Sequence, residues 1–368
     1  DIRDCQLKDG RFPDFAPHDD KWRQFFNAPG WADAGVIIPW RVYQNYNDTE
    51  ILAAQYEAMK KFIDFNHKHN PDLIWKNIRA NNYGDWLNGN TIKSNSYPKN
   101  GGKVPDDVFA TGYFFHSTGI LAKSAKLLGK TEDYKKYSAL ASAIKKAFNE
   151  KFVSADGTVE GNTQAGYALA LHFELLPEDL RPKAAAKMVE AIKAYDNRIS
   201  TGIHTTIWMM NELSNYGYND VAYQLLLSRQ FPSWFYSIDQ GATTIWERWD
   251  GYVAGRGFQS PGMNSFNHVA IGAVGEWMYS NILGIQLDET QPGYRHFYIK
   301  PQPEKSLEWA KGSYHAITGN IEVSWTNKDK TFTLDITVPA NTEATVVVPF
   351  ENKTHKVGSG KYSFTAKY

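Results

Sequence analysis

Apolar positions recur at helical spacing through most of the first 284 residues and switch to alternating spacing after Gly284. The segment Asp33 to Tyr43 is apolar nearly all round and contains Pro39, which predicts a buried, kinked helix. From Asp48, a candidate N-cap, the residues Ile51, Leu52, Tyr56, Met59, Phe62 and Phe65 mark a second helix. Residues 69–103 break the periodicity with Asn, Gly, Pro and Tyr, a long loop of the kind that holds ligands. Helical periodicity resumes over residues 106–128, 131–152, 163–175, 178–195, 203–214 and 218–229, with links short enough to imply antiparallel helix pairs. Phe231 to Phe235 opens an irregular stretch, residues 251–263 are glycine-rich and expected to be mobile, and a last helix is expected over 264–283. Beyond that, 321–325, 331–338 and 344–349 read as strands, with Asn327 to Lys330 as a hairpin loop and turn chemistry at Gly358 to Gly360.

Two units follow: a mainly α helical toroid over 1–284 and a small antiparallel β domain over 285–368. The helix count falls short of a closed ring of six pairs by two or three. Because the chain opens on Asp1-Ile2-Arg3 without an initiator methionine, the expectation is that the N-terminal helices of the ring lie upstream.

Composition narrows the ligand. Lys+Arg and Asp+Glu both number 40, so no global field favours nucleic acid or an anionic membrane, and a neutral ligand is expected. A single cysteine, Cys5, excludes an intramolecular disulfide and any cysteine-rich zinc site. No apolar run is long enough to predict a membrane span, and neither a metal site nor a cofactor is expected. The compartment and oligomeric state are left open. Twelve tryptophans fit a protein that offers stacking surfaces, though a large helical core uses them too.

The most unusual address is Gly241 to Asp250, where Glu247 lies beside Trp246, Arg248 and Trp249. Carboxylates avoid apolar surroundings unless they are paired or an altered pKa serves a reaction. Indole faces beside a carboxylate suit a sugar, whose C–H face packs on the ring while the acid reaches a hydroxyl or a water. A structural ion pair of Glu247 with Arg248 or another cation, at a helix entrance under a tryptophan lid, explains the same residues.

The runs Asp9-Gly10-Arg11-Phe12-Pro13, Ala28-Pro29-Gly30-Trp31-Ala32-Asp33-Ala34, Tyr83-Gly84-Asp85-Trp86, Gly241 to Trp249 and Met263-Asn264-Ser265-Phe266-Asn267-His268 resemble, in order, the bacterial inverting α-L-rhamnosidases of glycoside hydrolase family 78. The resemblance covers almost the whole chain. It implies an (α/α)6 barrel followed by a β-sandwich, and release of terminal non-reducing α-L-rhamnose from glycosides or polysaccharides with inversion and without a cofactor. It places the general base of the W-E-x-W segment on Glu247 and a sugar-contacting histidine on His268. Trp31, Trp86 and Trp249 fall at pocket positions, with Asp33 and Asp85 placed to bond rhamnose hydroxyls. Each has a bland counterpart: a satisfied core histidine, core indoles, and helix or turn caps.

One departure matters. The family's general acid sits in an E-R-x-G-W-x-G-D segment, and residues 1–368 contain no copy of it. Inversion needs an acid and a base with carboxyls roughly 6.5–9.5 Å apart, so the acid is expected upstream. Alternatives are a non-catalytic carbohydrate-binding remnant or another toroidal glycosidase with a different sugar specificity.

Overall fold

The computed structural model describes residues 1–368 except 23, 78, 80, 95, 99, 100 and 352 and the side chain of residue 20. Four helix pairs are built from α1 (Ala34–Tyr46) and α2 (Thr49–His69), α3 (Asp106–Leu127) and α4 (Thr131–Phe152), α5 (Gln164–His172) and α6 (Arg181–Lys193), and α7 (Thr205–Asn215) and α8 (Asn219–Leu227). A six-residue helix, α9 (Trp234–Asp239), and α10 (Val274–Trp277), continued as a π-turn to Ile282, complete the helical part. Contacts run from α1 to α3, α5, α7 and α10 in turn, so these form the inner row while α2, α4, α6 and α8 pack outside.

Sequence explains the division. α3 and α5 are apolar nearly all round and bury both faces, whereas α4 and α6 carry lysines and acids on one side and Leu140, Ile144, Phe148 or Met188, Ile192 on the other. The ends of the inner row are less covered: α1 leaves Ile38 exposed, and next to α10 Val269, Met278 and Tyr279 face outward.

Three expectations about elements need correction. Residues 231–239 were read as irregular, yet Ser233 caps a short helix there by accepting the Tyr236 N–H. The helix expected over 264–283 starts only at a 3₁₀ turn from Ala270, because the backbone of residues 265–268 is hydrogen-bonded instead to the Glu247 segment. Nor is the glycine-rich stretch after 250 left free: β1 (Tyr252–Val253) and β2 (Gly257–Phe258) form a hairpin tied down by Asp250, described below.

The C-terminal unit is two four-stranded sheets. One has the order β10-β7-β6-β5, from β5 (Trp309–Ala316), β6 (Gly319–Lys328), β7 (Thr331–Val338) and β10 (Gly360–Lys367); the other has the order β3-β4-β8-β9, from β3 (Ile285–Leu287), β4 (His296–Ile299), β8 (Glu343–Val347) and β9 (Thr354–Val357). Pairing is antiparallel except between β4 and β8, which run parallel. Asp329 and Lys330 both take positive φ, the two-residue turn that matches strand twist, and join β6 to β7. Alternate residues of β6 and β7, including Val323, Trp325, Leu334 and Ile336, are buried. The Trp325 indole donates to the Ile282 carbonyl at 2.7 Å, fastening this sheet to the end of the last inner helix.

Candidate active site

At the N-terminal ends of α1 and α7 lies a cavity of about 410 Å³ whose wall includes Trp31, Trp86, Glu247 and His268, together with Asp14 and Tyr83. Two extended stretches form one side. The Glu247 N–H donates to the Ser265 carbonyl at 2.9 Å, the His268 N–H to the Ile245 carbonyl at 2.8 Å, and the Ser265 N–H to Glu247 Oε2 at 2.9 Å. This two-stranded ribbon holds the carboxylate and the imidazole side by side. His268 Nδ1 accepts the Ala270 N–H at 3.2 Å, so the ring hydrogen belongs on Nε2 in the neutral form.

The ion-pair explanation of Glu247 fails on geometry. Arg248 turns the other way, binding Asp250 Oδ1 through Nε at 3.0 Å and the Thr91 carbonyl through Nη2 at 3.0 Å. Asp250 Oδ2 also accepts the Lys93 N–H at 2.9 Å and the Gln259 side chain at 2.8 Å and meets Arg256 at 3.3 Å. Burial alone would raise the Asp250 pKa, but these donors and cations hold it below the ordinary value. Arg248 is thereby committed to a hub that clamps the long loop onto the β1–β2 hairpin. Among the described residues no cationic side chain forms an ion pair with Glu247.

The opposite side is aromatic. Tyr83 meets Trp31 edge-on with centroids 4.9 Å apart and Trp86 edge-on at 5.9 Å. Trp86 is set by a backbone crossing: its carbonyl accepts the Ile203 N–H at 2.9 Å, and a Cβ at Gly202 would fall 2.3 Å from that carbonyl oxygen. Only glycine allows the two chains this approach.

Three residues expected to contact sugar do not reach the cavity wall. Asp85 is fully buried; its Oδ1 accepts the N–H groups of His204 and Thr205 at 3.1 and 3.2 Å, and its Oδ2 accepts Gly202 N–H at 2.6 Å and the Thr205 hydroxyl. It caps the first turn of α7 from across the fold, satisfying donors that the helix leaves unpaired. Burial pushes its pKa up against those donors. Asp33 is also fully buried, closing the turn before α1 by accepting Gly30 N–H at 2.8 Å and the Ser117 hydroxyl, and burial pushes its pKa up to about 6. Trp249 packs edge-on against Trp234 at 5.2 Å, donates to the Thr201 carbonyl, and lines a separate apolar cavity of about 430 Å³ behind the ribbon. Ile245 and Trp246 line that rear cavity, while Glu247 lines the front one.

Asp14, Tyr83 and Ile203 line the front cavity without having been singled out in the sequence. Asp14 could have been found, since an acid between Pro13 and Phe15 has the same unusual surroundings as Glu247. His204, whose burial among Trp31, Phe109 and Tyr113 lowers its pKa to about 3, accepts or donates at Nδ1 with the Tyr113 hydroxyl 3.0 Å away, beneath Trp31.

Comparison with known proteins places this geometry. Residues 1–282 match the family described as bacterial alpha-L-rhamnosidase 6 hairpin glycosidase domain, and residues 284–363 match the bacterial alpha-L-rhamnosidase C-terminal domain. An alpha-L-rhamnosidase of Streptomyces avermitilis is 39% identical over 99% of this chain, which covers 35% of that protein. The crystal structure of a Streptomyces avermitilis alpha-L-rhamnosidase complexed with L-rhamnose superimposes with a TM-score of 0.91 at 39% identity, over 100% of this chain and 36% of that one. An alpha-L-rhamnosidase from Aspergillus terreus gives 0.89 at 31% identity, over 99% of this chain and 42% of that one. The chain thus spans about a third of the length of the curated relatives it matches. With both of its units matched in order and its helical toroid and β-sandwich superimposing on theirs, this chain belongs to the bacterial α-L-rhamnosidase family.

Proposed function

We propose that this chain supplies the base-bearing wall and sugar pocket of an inverting glycosidase that releases terminal α-L-rhamnose from glycosides or polysaccharides. Glu247 is the general base: its carboxylate draws a proton from a water as that water attacks the anomeric carbon. Water is a poor nucleophile until it is deprotonated, and a positioned base contributes roughly 10²–10⁴-fold. Trp31 and Trp86 offer apolar faces to the deoxy-sugar ring and its methyl group, and His268 offers a hydrogen-bonding edge for a hydroxyl. The single observation that carries the reading is a carboxylate that among the described residues has no cationic partner, accepts one backbone N–H and lines a cavity walled by two indoles. Asp33, Asp85 and Trp249 act indirectly, by fixing the turns and loops that carry those groups.

The E-R-x-G-W-x-G-D segment that carries the family's general acid has no copy in residues 1–368, so none of these residues is offered as the group that protonates the leaving oxygen.

The test is Glu247→Gln in the full-length protein, assayed on a chromogenic α-L-rhamnoside. The glutamine keeps an acceptor for the Ser265 N–H, so the ribbon survives, and turnover is expected to fall at least about 10²-fold with rhamnose binding kept. Turnover within a few-fold of the parent removes Glu247 from the mechanism. If the 368-residue chain alone binds rhamnose but does not hydrolyse the rhamnoside, the acid lies outside these residues.

A further inference from the structure

Asp14 lies on the cavity wall, yet its two oxygens are turned to the protein rather than into the space. Residues 12–14 run antiparallel to 25–27, with the Asp14 N–H donating to the Phe25 carbonyl at 3.0 Å and the Asn27 N–H to the Phe12 carbonyl at 2.9 Å. That pairing presents Oδ1 to the Ala28 N–H at 2.8 Å, at the head of the turn Ala28-Pro29-Gly30-Trp31. The other oxygen, Oδ2, accepts the Tyr83 hydroxyl at 3.2 Å. Tyr83 in turn accepts from the Asn81 side chain at 3.0 Å, so its hydroxyl has a donor and an acceptor on fixed sides. The ring thus held stands edge-on between Trp31 and Trp86.

We propose that Asp14 is a positioning residue for sugar binding, with one oxygen setting the turn that carries Trp31 and the other setting, through Tyr83, the spacing between Trp31 and Trp86. This deepens the rhamnoside reading and rests on it. A sugar ring needs both indole faces at van der Waals distance at once, and a loop-borne indole has no intrinsic reason to hold its place. Trp31 follows a glycine with φ of 86°, and Trp86 precedes Leu87 with φ of 59°, so each indole sits next to a turn. The Asp14–Tyr83 bond ties the two turns together. Asp14 is only 7% exposed, so little water competes for these two bonds, and the same burial pushes its pKa up to about 6.

The experiment compares Asp14→Asn, Tyr83→Phe and the double variant in the full-length protein, using a chromogenic rhamnoside. Tyr83→Phe deletes the hydroxyl–carboxylate bond, and Asp14→Asn, with its oxygen kept on the Ala28 N–H, turns an amide donor toward a hydroxyl that already accepts from Asn81; both keep shape. Each is expected to raise KM about tenfold with a smaller change in kcat, and the double variant is expected to raise it no further than either single one. A role confined to folding moves the melting temperature and leaves KM in place. Independent, multiplying effects, or a Tyr83→Phe KM equal to the parent's, overturn the proposal. If the parent itself fails to hydrolyse the rhamnoside, the functional reading fails, and tryptophan emission decides for Asp14. A matching red shift in both single variants supports coupled indoles, and unchanged emission refutes them.

Discussion

Replacing Asp85 with asparagine tests whether the loop carrying Trp86 is held by a carboxylate that only accepts. Four donors converge on it: three backbone N–H groups, from Gly202, His204 and Thr205, and the Thr205 hydroxyl. If the asparagine oxygen takes the Oδ1 position, the N–H groups of His204 and Thr205 stay paired. Its amide then faces the Thr205 hydroxyl, which can rotate to accept, and the Gly202 N–H, which cannot. One buried donor is left opposite another donor, and two bonds to a charged acceptor become bonds to a neutral one. The expected cost is about 2–3 kcal/mol. Asp85→Ala strands all the donors at once and should cost roughly 4 kcal/mol or more. Urea titration at pH 7, followed by the helical circular dichroism signal, reads both variants as a lower midpoint at unchanged slope. A destabilisation of Asp85→Asn below about 0.5 kcal/mol would show that these contacts do not need a full carboxylate, and the positioning role given to Asp85 would fall.

Asp33 is expected to behave differently, because the Ser117 hydroxyl can accept from an amide and the Gly30 N–H keeps its oxygen. With the folded carboxyl raised to about 6 and the ordinary value at 3.8, the native state holds the proton more tightly, so its stabilising contribution is complete below about pH 4 and lost as pH rises through 6. Asp33→Asn should flatten that fall by about 3 kcal/mol in urea midpoints collected from pH 4 to 7, and an unchanged profile refutes the assignment. His268→Ala should weaken rhamnose binding, read by tryptophan fluorescence titration, while the thermal transition stays within a few degrees; collapse of the fold would return His268 to the core. Asp250→Ala should open the Thr91–Lys93 loop and the β1–β2 hairpin to fast amide exchange while α3 and α5 stay protected.

The helix pairs were legible because the outer helices α4 and α6 are amphipathic and their links are short, so periodicity alone locates them. α9 escaped notice at six residues, too short for a period to show. Residues 265–268 were misread as helix because their backbone pairing depends on a segment about twenty residues away, which local spacing does not carry. In the site, Glu247 stood out by its neighbours. Asp33 and Asp85 were misassigned for a physical reason: sequence places a carboxylate near a loop but does not say on which side of the wall it emerges. Burial and the donors around each decide that. Tyr83 stood inside a recognised motif, but its role depends on a bond to a residue 69 positions away.

Because the segments of Glu247 and His268 are joined by backbone hydrogen bonds, the groups proposed to act on water and on the sugar are coupled as a single tile. The tryptophans belong to separate loops. Any breathing that admits or releases a ligand therefore changes the distance between tile and indoles while leaving the tile's own geometry intact. A looser loop would be felt as weaker capture, and the timing of proton withdrawal would be the last thing to suffer.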